Sequence, residues 1–521
     1  MKRTVVLSSL GVLAAAALAL ALRLPLLGRP PMHGDEANQA FRSGVLFEGG
    51  GYRYDPYDHH GPTLYYLTAP SLWLSGAADF AETHEFDYRI VPVVFGAAAV
   101  LLVLLLADGM GRPAAVAAAV LMAVSPAMVY YSRYYIQETL LLFFTLGAIG
   151  AGWRYMRSGR LGWAMLAGAC LGLMHATKET WIISAGAMVA ALALVALARR
   201  TRPGTPGERP PVRGRHLAAA VATACIVSIL LYSSFLANPR GPLDSILAYH
   251  GYLARGLGGS LHTHPWHFYL HRLLWFREGG LPPWTEGLIV LLAAVGCAAA
   301  ATGRGLGRAN LPLLRFLAVY TLVTTVAYAA LPYKTPWCLL PLLQGMILLA
   351  GVGAVALVRW MPRPAFKILV ALALAAGTVH LGRQACRAAF RFYADTRNPY
   401  VYAHASTDVL RLAERVDGVA RVHHDGHNMV IKVIDPGNYW PLPWYLRRFR
   451  NVGWWAETPD DPDAPVVIVS PEAAEAVDVK LRHRYQSGIF GLRPGVHLEV
   501  RVRQDLWEAF LATRARPRAA E

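Results

Sequence analysis

About eleven long apolar stretches recur through the first 381 residues, and they constrain the fold more than any other feature of the sequence. They lie at residues 4–22, 90–107, 114–131, 139–153, 161–176, 181–198, 217–236, 287–301, 311–331, 337–358 and 365–381. A hydrocarbon core of roughly 30 Å is crossed by about 20 apolar residues in a helix. Since only 16% of the residues are charged, the sequence predicts a polytopic α-helical membrane protein.

Two of the apolar segments have a second interpretation. The first follows Lys2 and Arg3 and ends in small residues, which is also typical of a cleaved signal peptide. Its length, and the spans that follow it, favour a retained membrane span. The segment 64–74 is short and rich in Tyr and Trp, so we expect a helix that lies in the membrane interface, with a span as the alternative.

The basic residues that produce the net charge of +17 occur at every second loop between the apolar stretches. These residues are Arg112, Arg154, Arg157, Arg160, the arginines between 199 and 215, Arg304, Arg308, Arg359, Arg363 and Lys367. Basic loops mark the cytoplasmic side of a membrane, so the charge does not indicate nucleic-acid binding. The pattern predicts a cell-membrane protein with a cytoplasmic N-terminus and an extracytoplasmic C-terminal region.

The loops on the opposite side are short and carry ionisable groups at the ends of the apolar stretches. They include residues 33–36, which read His-Gly-Asp-Glu, and residues 132–138, 175–180 and 332–337. A solvated helix end explains any one of these loops. Charged groups at a membrane boundary are unfavourable unless paired or hydrated, so four such loops on one face predict a functional site.

Three further regions complete the domain organisation. The loops 23–88 and 238–286 are large enough to form structure outside the membrane, and they belong to a predicted transmembrane domain at 1–383. After residue 383 the apolar stretches stop. Strand-like runs at 429–434, 465–469 and 496–502, with a helical pattern at 406–416, predict a mixed α/β domain at 384–521.

Two groups of histidines leave metal binding open. His264, His267 and His271 have helical spacing, and His423, His424 and His427 lie near Asp425. Neither group matches a standard zinc spacing. Contacts with lipid head groups or substrate explain the first group better than metal binding does.

An apolar span followed by Asp35-Glu36 in the first external loop, and then by an aromatic interfacial stretch, resembles the GT-C membrane glycosyltransferases. The sequence is most similar to the branch that contains protein O-mannosyltransferases and the lipid A aminoarabinose transferase. The run Tyr-Arg-Ile-Val-Pro-Val-Val-Phe-Gly at 88–96 and the loop from Ser132 to Glu138 carry this resemblance. Tyr333 to Trp337 and His264-Pro-Trp266 resemble a prokaryotic subfamily associated with surface glycosylation.

The resemblance implies a polyprenyl-phosphate sugar as donor and a lipid, glycan or protein as acceptor. It differs from the family pattern at His60-Gly61-Pro62, where a Lys-Pro-Pro or His-Pro-Pro turn is expected, and at Glu138, where Asp is common. The predicted phosphate and substrate contacts are therefore His33, His60, Arg89, Arg133, Tyr134, Lys178 and Lys334.

Sugar transfer from a lipid phosphate requires a base at the acceptor and positive charge at the departing phosphate. A carboxylate beside a second carboxylate and an apolar wall has its proton affinity raised, so Asp35 is the predicted general base. Glu36 is predicted to orient the acceptor or tune Asp35. Glu138 is the third predicted catalytic carboxylate, and Asp35 and Glu138 are the predicted ligands if a divalent metal ion takes part.

Two alternatives stay open on the sequence alone. Asp35 and Glu36 are also favourable residues for capping a helix that starts at Ala37. A flippase or a non-catalytic component of a lipid-linked glycan pathway would keep the same fold without needing Asp35 as a base. The sequence shows no clear inverted repeat of the kind that many transporters carry.

Overall fold

The computed structural model describes residues 2–57, 60–200, 212–257, 262–280 and 282–515. Part of the predicted basic loop between 199 and 215, including Arg202 and Arg209, lies outside the described residues. So do the last six residues of the predicted α/β domain.

Every apolar stretch of the sequence forms a helix, as predicted. The helices up to residue 386 are α1 (Lys2–Arg23), α2 (Gly34–Phe47), α3 (Thr63–Ser75), α4 (Glu85–Leu102), α5 (Ala107–Met110), α6 (Arg112–Val124), α7 (Pro126–Tyr131), α8 (Glu138–Ser158), α9 (Leu161–His175), α10 (Trp181–Arg200), α11 (Gly214–Tyr232), α12 (Gly241–Leu257), α13 (Phe268–Leu274), α14 (Gly287–Thr302), α15 (Leu311–Ala330), α16 (Leu340–Trp360) and α17 (Pro364–Cys386). Short 3-10 turns at Val103–Leu106 and Pro336–Leu339 extend two of these segments.

Seven helical segments of the described residues are long and apolar enough to cross a membrane. They are Thr4–Arg23, Glu85–Met110, Trp181–Ala198, Gly214–Tyr232, Leu311–Ala330, Pro336–Trp360 and Pro364–Arg391. Three more apolar helices, Arg112–Val124, Leu161–His175 and Gly287–Thr302, are shorter. The predicted stretch 114–131 is broken at Ser125, because Pro126 cannot continue α6 and instead starts α7 with Ser125 as its N-cap.

Burial distinguishes a central helix from peripheral ones. In the span that contains α16, 89% of the apolar window is buried, whereas the windows of α11 and α17 are 6% buried. Gly353 of α16 lies so close to α14 that an added Cβ would be 1.9 Å from the Leu292 carbonyl oxygen. Small residues allow such close helix contacts within a membrane. On α17, Ile368, Leu369 and Leu372 are each more than 60% exposed, which suits a lipid-facing helix.

The C-terminal part of the chain forms a five-stranded mixed sheet, which confirms the predicted α/β layout. The strands are β1 (Val430–Ile434), β2 (Asn451–Trp455), β3 (Val466–Val469), β4 (Tyr485–Arg493) and β5 (Val496–Arg503), in the order β2-β1-β3-β5-β4. β1 pairs in parallel with β2 and β3, whereas β5 is antiparallel to β3 and β4. The accompanying helices are α18 (Asp408–Ala420), α19 (Leu442–Tyr445), α20 (Pro471–Asp478) and α21 (Gln504–Ala515).

The chain divides into two compact units that are not contiguous in sequence. The helical unit comprises Met1–Leu27, Gly51–Ser71 and Arg89–Tyr402. The sheet unit comprises Gly28–Gly50, Leu72–Tyr88 and Ala403–Glu521. Two segments of the loop 23–88 therefore pack with the C-terminal sheet domain, and the predicted acidic pair is part of the sheet unit. The functional domain boundary between 383 and 384 stays a prediction.

Candidate active site

In the sheet unit, the acidic pair lies in the first turn of α2. The helix starts at Gly34, which is three residues before Ala37, the start expected if the acidic pair caps the helix. His33 is its N-cap. The backbone N–H of His33 donates to Glu36 Oε2 at 3.1 Å, and the backbone N–H of Asp35 donates to His33 Nδ1 at 2.9 Å. These two bonds form a capping box, so Glu36, which is 1% exposed, stabilises the helix start.

Asp35 has a different environment from its neighbour Glu36. Its side chain is 51% exposed, and the cap does not use its carboxylate. Asp35 Oδ2 lies 3.9 Å from His33 Nδ1, but that nitrogen accepts the N–H of Asp35 and therefore carries no proton. The geometry leaves the Asp35 carboxylate accessible to a reacting group.

Residues from the C-terminal sheet domain surround this helix start, although they are distant from it in sequence. The backbone N–H of Met32 donates to the Tyr445 hydroxyl at 2.8 Å, and the His33 ring lies 4.9 Å from the ring of His404. The guanidinium of Arg493 donates to the Trp440 carbonyl at 2.7 Å. Burial lowers the pKa of Arg493, whereas the charges of Asp435 and Asp35 oppose that shift.

In the helical unit, Glu138 and Lys178 form a buried ion pair. Glu138 is the first residue of α8, and Lys178 lies in the loop between α9 and α10. The Lys178 ammonium donates to Glu138 Oε1, and neither residue is more than 6% exposed. Burial alone would lower the pKa of Lys178, but the Glu138 carboxylate outweighs it and raises that pKa.

The neighbouring residue Glu179 forms a second pair, with His60. His60 Nδ1 lies 2.8 Å from Glu179 Oε2, and the imidazole is 30% exposed while Glu179 is buried. Burial opposes ionisation of Glu179, yet His60 and Lys178 hold the pKa of this carboxyl below its usual value. Glu138 Oε2 and Glu179 Oε1 are buried and have no hydrogen-bond donor among the described residues.

The turn that carries His60 is held against the loop before α10. The Thr63 backbone N–H and hydroxyl both donate to the Ala176 carbonyl, at 3.0 and 2.6 Å. A Cβ on Gly61 would lie 2.2 Å from the same carbonyl oxygen. Glycine at this position thus permits the close approach that places His60 beside Glu179.

The predicted phosphate contacts Arg89 and Arg133 bond to the chain after α1. The Arg133 guanidinium donates to the Arg23, Pro25 and Leu26 carbonyls at 2.5, 2.6 and 3.2 Å, and Arg89 donates to the Leu27 carbonyl at 2.7 Å. Burial and the charge of Arg89 lower the pKa of Arg133 to about 10. Both arginines therefore fix the exit of the first span, and their predicted contact with phosphate stays a prediction.

Tyr134 lies near the segment 334–337, which reads Lys-Thr-Pro-Trp and begins with Lys334. The Tyr134 ring is 6.0 Å from that of Trp337. The Lys334 ammonium donates to the His264 carbonyl at 3.1 Å and to the Leu331 carbonyl, and burial lowers its pKa. These two contacts are with backbone oxygens, so the charge of Lys334 has no carboxylate partner within the ranges that the structure describes.

Of the predicted site residues, the structure thus groups Glu138, Lys178 and His60 in the helical unit, and His33, Asp35 and Glu36 in the sheet unit. Glu179, which links His60 to this cluster, is a functional candidate that the sequence reasoning did not select. Glu179 directly follows Lys178 in a loop that is rich in ionisable residues, and this position could have identified it as a candidate from the sequence.

The pairing of Glu138 with Lys178 disfavours metal ligation by Glu138. One of its oxygens accepts from the Lys178 ammonium, whose charge disfavours a cation beside the other oxygen. Among the described residues, His423, His424 and Asp425 form a group of three potential metal ligands that lie close together. His264 and His267 precede α13, so the expectation that they share a helix face with His271 is wrong.

The family model of dolichyl-phosphate-mannose-protein mannosyltransferases matches residues 62–237 of the chain. ArnT from Cupriavidus metallidurans in the apo state has a similar structure, with a TM-score of 0.62, 15% identity, and coverage of 95% of this chain and 98% of that chain. The same protein bound to undecaprenyl phosphate gives a TM-score of 0.61 at 14% identity, with the same coverage of both chains.

Archaeal AglB from Archaeoglobus fulgidus, in complex with an inhibitory peptide and a dolichol-phosphate, has a TM-score of 0.58 at 13% identity. The match covers 96% of this chain and 76% of that chain. A sequence search of curated proteins found no match.

These similarities extend over nearly the whole chain and define its architecture. The chain has the fold of the GT-C glycosyltransferase superfamily, which confirms the resemblance seen in the sequence. Residues 62–237 match the protein mannosyltransferase model, and seven helical segments of the described residues are long and apolar enough to cross a membrane.

Proposed function

We propose that the protein is an integral membrane glycosyltransferase that transfers a sugar from a polyprenyl-phosphate donor to an acceptor at the extracytoplasmic face. The observation that supports this most is the cluster of ionisable groups formed by Glu138, Lys178, Glu179 and His60, of which the first three are buried. Two of its carboxylate oxygens have no donor among the described residues, so they are suited to accept hydroxyl groups of a sugar.

Asp35 is the proposed general base. In this reaction it removes a proton from an acceptor hydroxyl or amine, whose oxygen or nitrogen then bonds to the anomeric carbon of the sugar. The bond between that carbon and the phosphate oxygen breaks, and the polyprenyl phosphate leaves with the electron pair. The half-exposed carboxylate, held in place by the capped start of α2, supports this role.

The positive groups of the helical unit are assigned to the departing phosphate. Lys178 is held by a carboxylate and buried, which strengthens its electrostatic effect, and His60 is oriented by Glu179. His60 occupies the position where the family pattern has a lysine or histidine. Lys334, Arg89, Arg133, His33 and Tyr134 are proposed as further substrate contacts.

The test measures transfer of a radiolabelled sugar from polyprenyl phosphate by membranes that contain the wild-type or variant chain. Asp35→Asn is expected to reduce transfer by about 10²- to 10⁴-fold, since general-base catalysis contributes that much. Glu138→Gln is also expected to reduce transfer. Asp460→Asn, which changes an exposed carboxylate of the sheet unit, serves as the matched control and should leave transfer unchanged.

Unchanged transfer in both Asp35→Asn and Glu138→Gln, at normal abundance in the membrane, would contradict the proposal. Translocation of the lipid-linked sugar is measured in the same membranes. A variant that loses translocation while a supplied extracytoplasmic donor is still used would favour the flippase alternative.

A further inference from the structure

A large cleft in the sheet unit has no part in the chemistry described above. Its volume is about 980 Å³, which is within the range of ligand sites. One wall comes from the first external loop, with Glu48 and the segment from Ser75 to Asp87. The other wall comes from the segment between β1 and β2, with Arg447, Arg448 and Arg450.

The two walls carry opposite charges. The acidic groups that line the cleft are Glu48, Asp79, Glu82 and Asp87, and all of them belong to the first external loop and the start of α4. The arginines all belong to the segment 447–450. A cleft of this kind separates charge across its width, so a ligand that carries both signs fits it better than a simple anion or cation.

The acidic wall is fixed by hydrogen bonds to the backbone. Glu48 Oε1 accepts the Phe80 N–H at 2.8 Å, Glu82 Oε2 accepts the Ala78 N–H at 2.9 Å, and Asp79 Oδ1 accepts the Glu82 N–H at 3.1 Å. Each of these carboxylates uses one oxygen for the loop and keeps its negative charge. Glu48, Asp79 and Glu82 are exposed, so that charge is available to a ligand.

The basic wall contains three arginines, and two of them, Arg448 and Arg450, have no ion pair within the described part of the chain. Arg447 is fixed, because it donates to the Thr83 carbonyl at 2.6 Å and stacks 3.7 Å from the Trp444 ring. Arg448 and Arg450 are exposed, and among the described residues neither forms an ion pair with a carboxylate of the acidic wall. Adjacent guanidinium groups repel one another, and an anionic group between them relieves that repulsion.

The cleft is next to the start of an apolar span. Asp87, which lines it, is in the first turn of α4, and the apolar span that contains α4 starts at Glu85. The residues just before the cleft wall, Trp73 and Leu74, are 70% and 87% exposed. An exposed Trp-Leu pair at the end of α3 is typical of insertion at the interface of a bilayer.

We propose that this cleft binds the head group of a membrane phospholipid that carries both a phosphodiester and a primary ammonium group. Arg448 and Arg450 bind the phosphodiester, and Glu48 and Glu82 bind the ammonium group. Trp73 and Leu74 lie along the acyl chains. The site is independent of the sugar-transfer reaction, so it stands whether or not Asp35 is a base.

The test uses the purified full chain in detergent and short-chain phospholipids, with binding followed by native mass spectrometry. The probes are phosphatidylethanolamine, phosphatidylcholine and phosphatidylglycerol, together with free phosphoethanolamine. We expect phosphatidylethanolamine to bind most tightly, since the choline group has no N–H to donate and the glycerol group has no positive charge. Free phosphoethanolamine should bind more weakly than the lipid, because it makes no contact with Trp73 and Leu74.

Two double variants separate the walls. Arg448→Gln with Arg450→Gln should weaken binding of both phosphatidylethanolamine and phosphatidylglycerol by about tenfold or more, the usual effect of losing a charged hydrogen bond. Glu48→Gln with Glu82→Gln should weaken phosphatidylethanolamine binding but strengthen phosphatidylglycerol binding, because the amide oxygens still accept the backbone N–H groups while the negative charge is lost. The matched control, Arg421→Gln with Arg482→Gln, removes two exposed arginines outside the cleft lining.

Equal binding of the three lipids by the wild-type chain would overturn the proposal. The proposal would also be overturned if both double variants of the cleft walls bound phosphatidylethanolamine as tightly as the control variant does. Binding of free phosphoethanolamine as tightly as the lipid would show a water-soluble ligand instead of a membrane lipid.

Discussion

Two pairs of adjacent charged residues, Asp35-Glu36 in the sheet unit and Lys178-Glu179 in the helical unit, are stabilised in different ways. Both members of the Lys178-Glu179 pair are buried, and each bonds to a side chain that is distant in sequence. In the acidic pair, only Glu36 is buried, and its bond is to the backbone three residues away.

The difference shows what a buried charge requires. A local backbone donor is sufficient for Glu36, since a helix start supplies unpaired N–H groups. Lys178 and Glu179 lie in the loop before α10, and they pair with the side chains of Glu138 and His60. Asp35 is accessible because its neighbour Glu36 forms the cap. We therefore expect substitutions in the helical unit to affect stability first, and substitution of Asp35 to affect chemistry alone.

The largest effect is expected from Lys178→Met. It removes the ammonium group and leaves the Glu138 carboxylate buried without its partner, which should lower the free energy of unfolding by about 3–5 kcal/mol. The double variant Lys178→Met with Glu138→Leu replaces both charges, and it should recover most of that loss. Thermal unfolding in detergent, followed by circular dichroism, measures both. A double variant that is no more stable than the single one would show that the pair is not the source of the effect.

The second prediction concerns pH. Because the pKa of Glu179 is lowered in the folded protein, its ionised form contributes stability at pH values above the unfolded pKa of about 4.3. This contribution is lost as the pH falls through the folded value. Glu179→Gln should therefore be less stable than the wild type by about 1.5–3 kcal/mol at neutral pH, since a hydrogen bond with a charged group is lost.

The stability difference between wild type and Glu179→Gln should shrink as the pH is lowered below about 4.3. Unfolding midpoints over a series of acidic buffers measure it. Glu457→Gln changes an exposed carboxylate and serves as the control, with no difference from the wild type at any pH. A stability difference between Glu179→Gln and the wild type that stays constant with pH would contradict the lowered pKa of Glu179.

The helices of the membrane part could be predicted because their apolar length is a local property of the sequence. The break at Ser125 was missed although Pro126 marks it, because the stretch 114–131 is apolar throughout. β1, β3 and β5 were predicted from their branched apolar residues. β2, with Asn451 and Gly453, and β4, with several polar residues, were missed because their pairing with the sheet determines their structure.

The candidate site could be predicted only as a set of loops. Glu138 and Lys178 are 40 residues apart, and His60 and Glu179 are 119 apart, so no local pattern identifies these contacts. The assignment of the acidic pair to the same unit as Tyr445 and Arg493 depends on long-range packing for the same reason.

The third prediction tests the turn that places His60. Gly61→Ala would put a Cβ 2.2 Å from the Ala176 carbonyl oxygen, and the chain must shift to avoid it. We expect a loss of about 1–3 kcal/mol in unfolding free energy, the usual effect of overpacking, together with reduced sugar transfer. Gly186→Ala in α10 has open space around the added Cβ and serves as the control. Equal unfolding midpoints for the two variants would show that the contact with Ala176 is not tight.

The smallest effects on stability separate the two members of the acidic pair. Glu36→Ala removes the carboxylate that accepts the His33 N–H, and it should lower the unfolding free energy by about 0.5–2 kcal/mol, as loss of a helix cap does. Asp35→Ala should change stability by less than about 0.5 kcal/mol, because its side chain is half exposed and outside the cap. Sugar transfer should show the reverse order, with the greater loss in Asp35→Ala. If Asp35→Ala were the less stable of the two variants, its carboxylate would be part of the helix start, and the division of roles between these adjacent residues would be wrong.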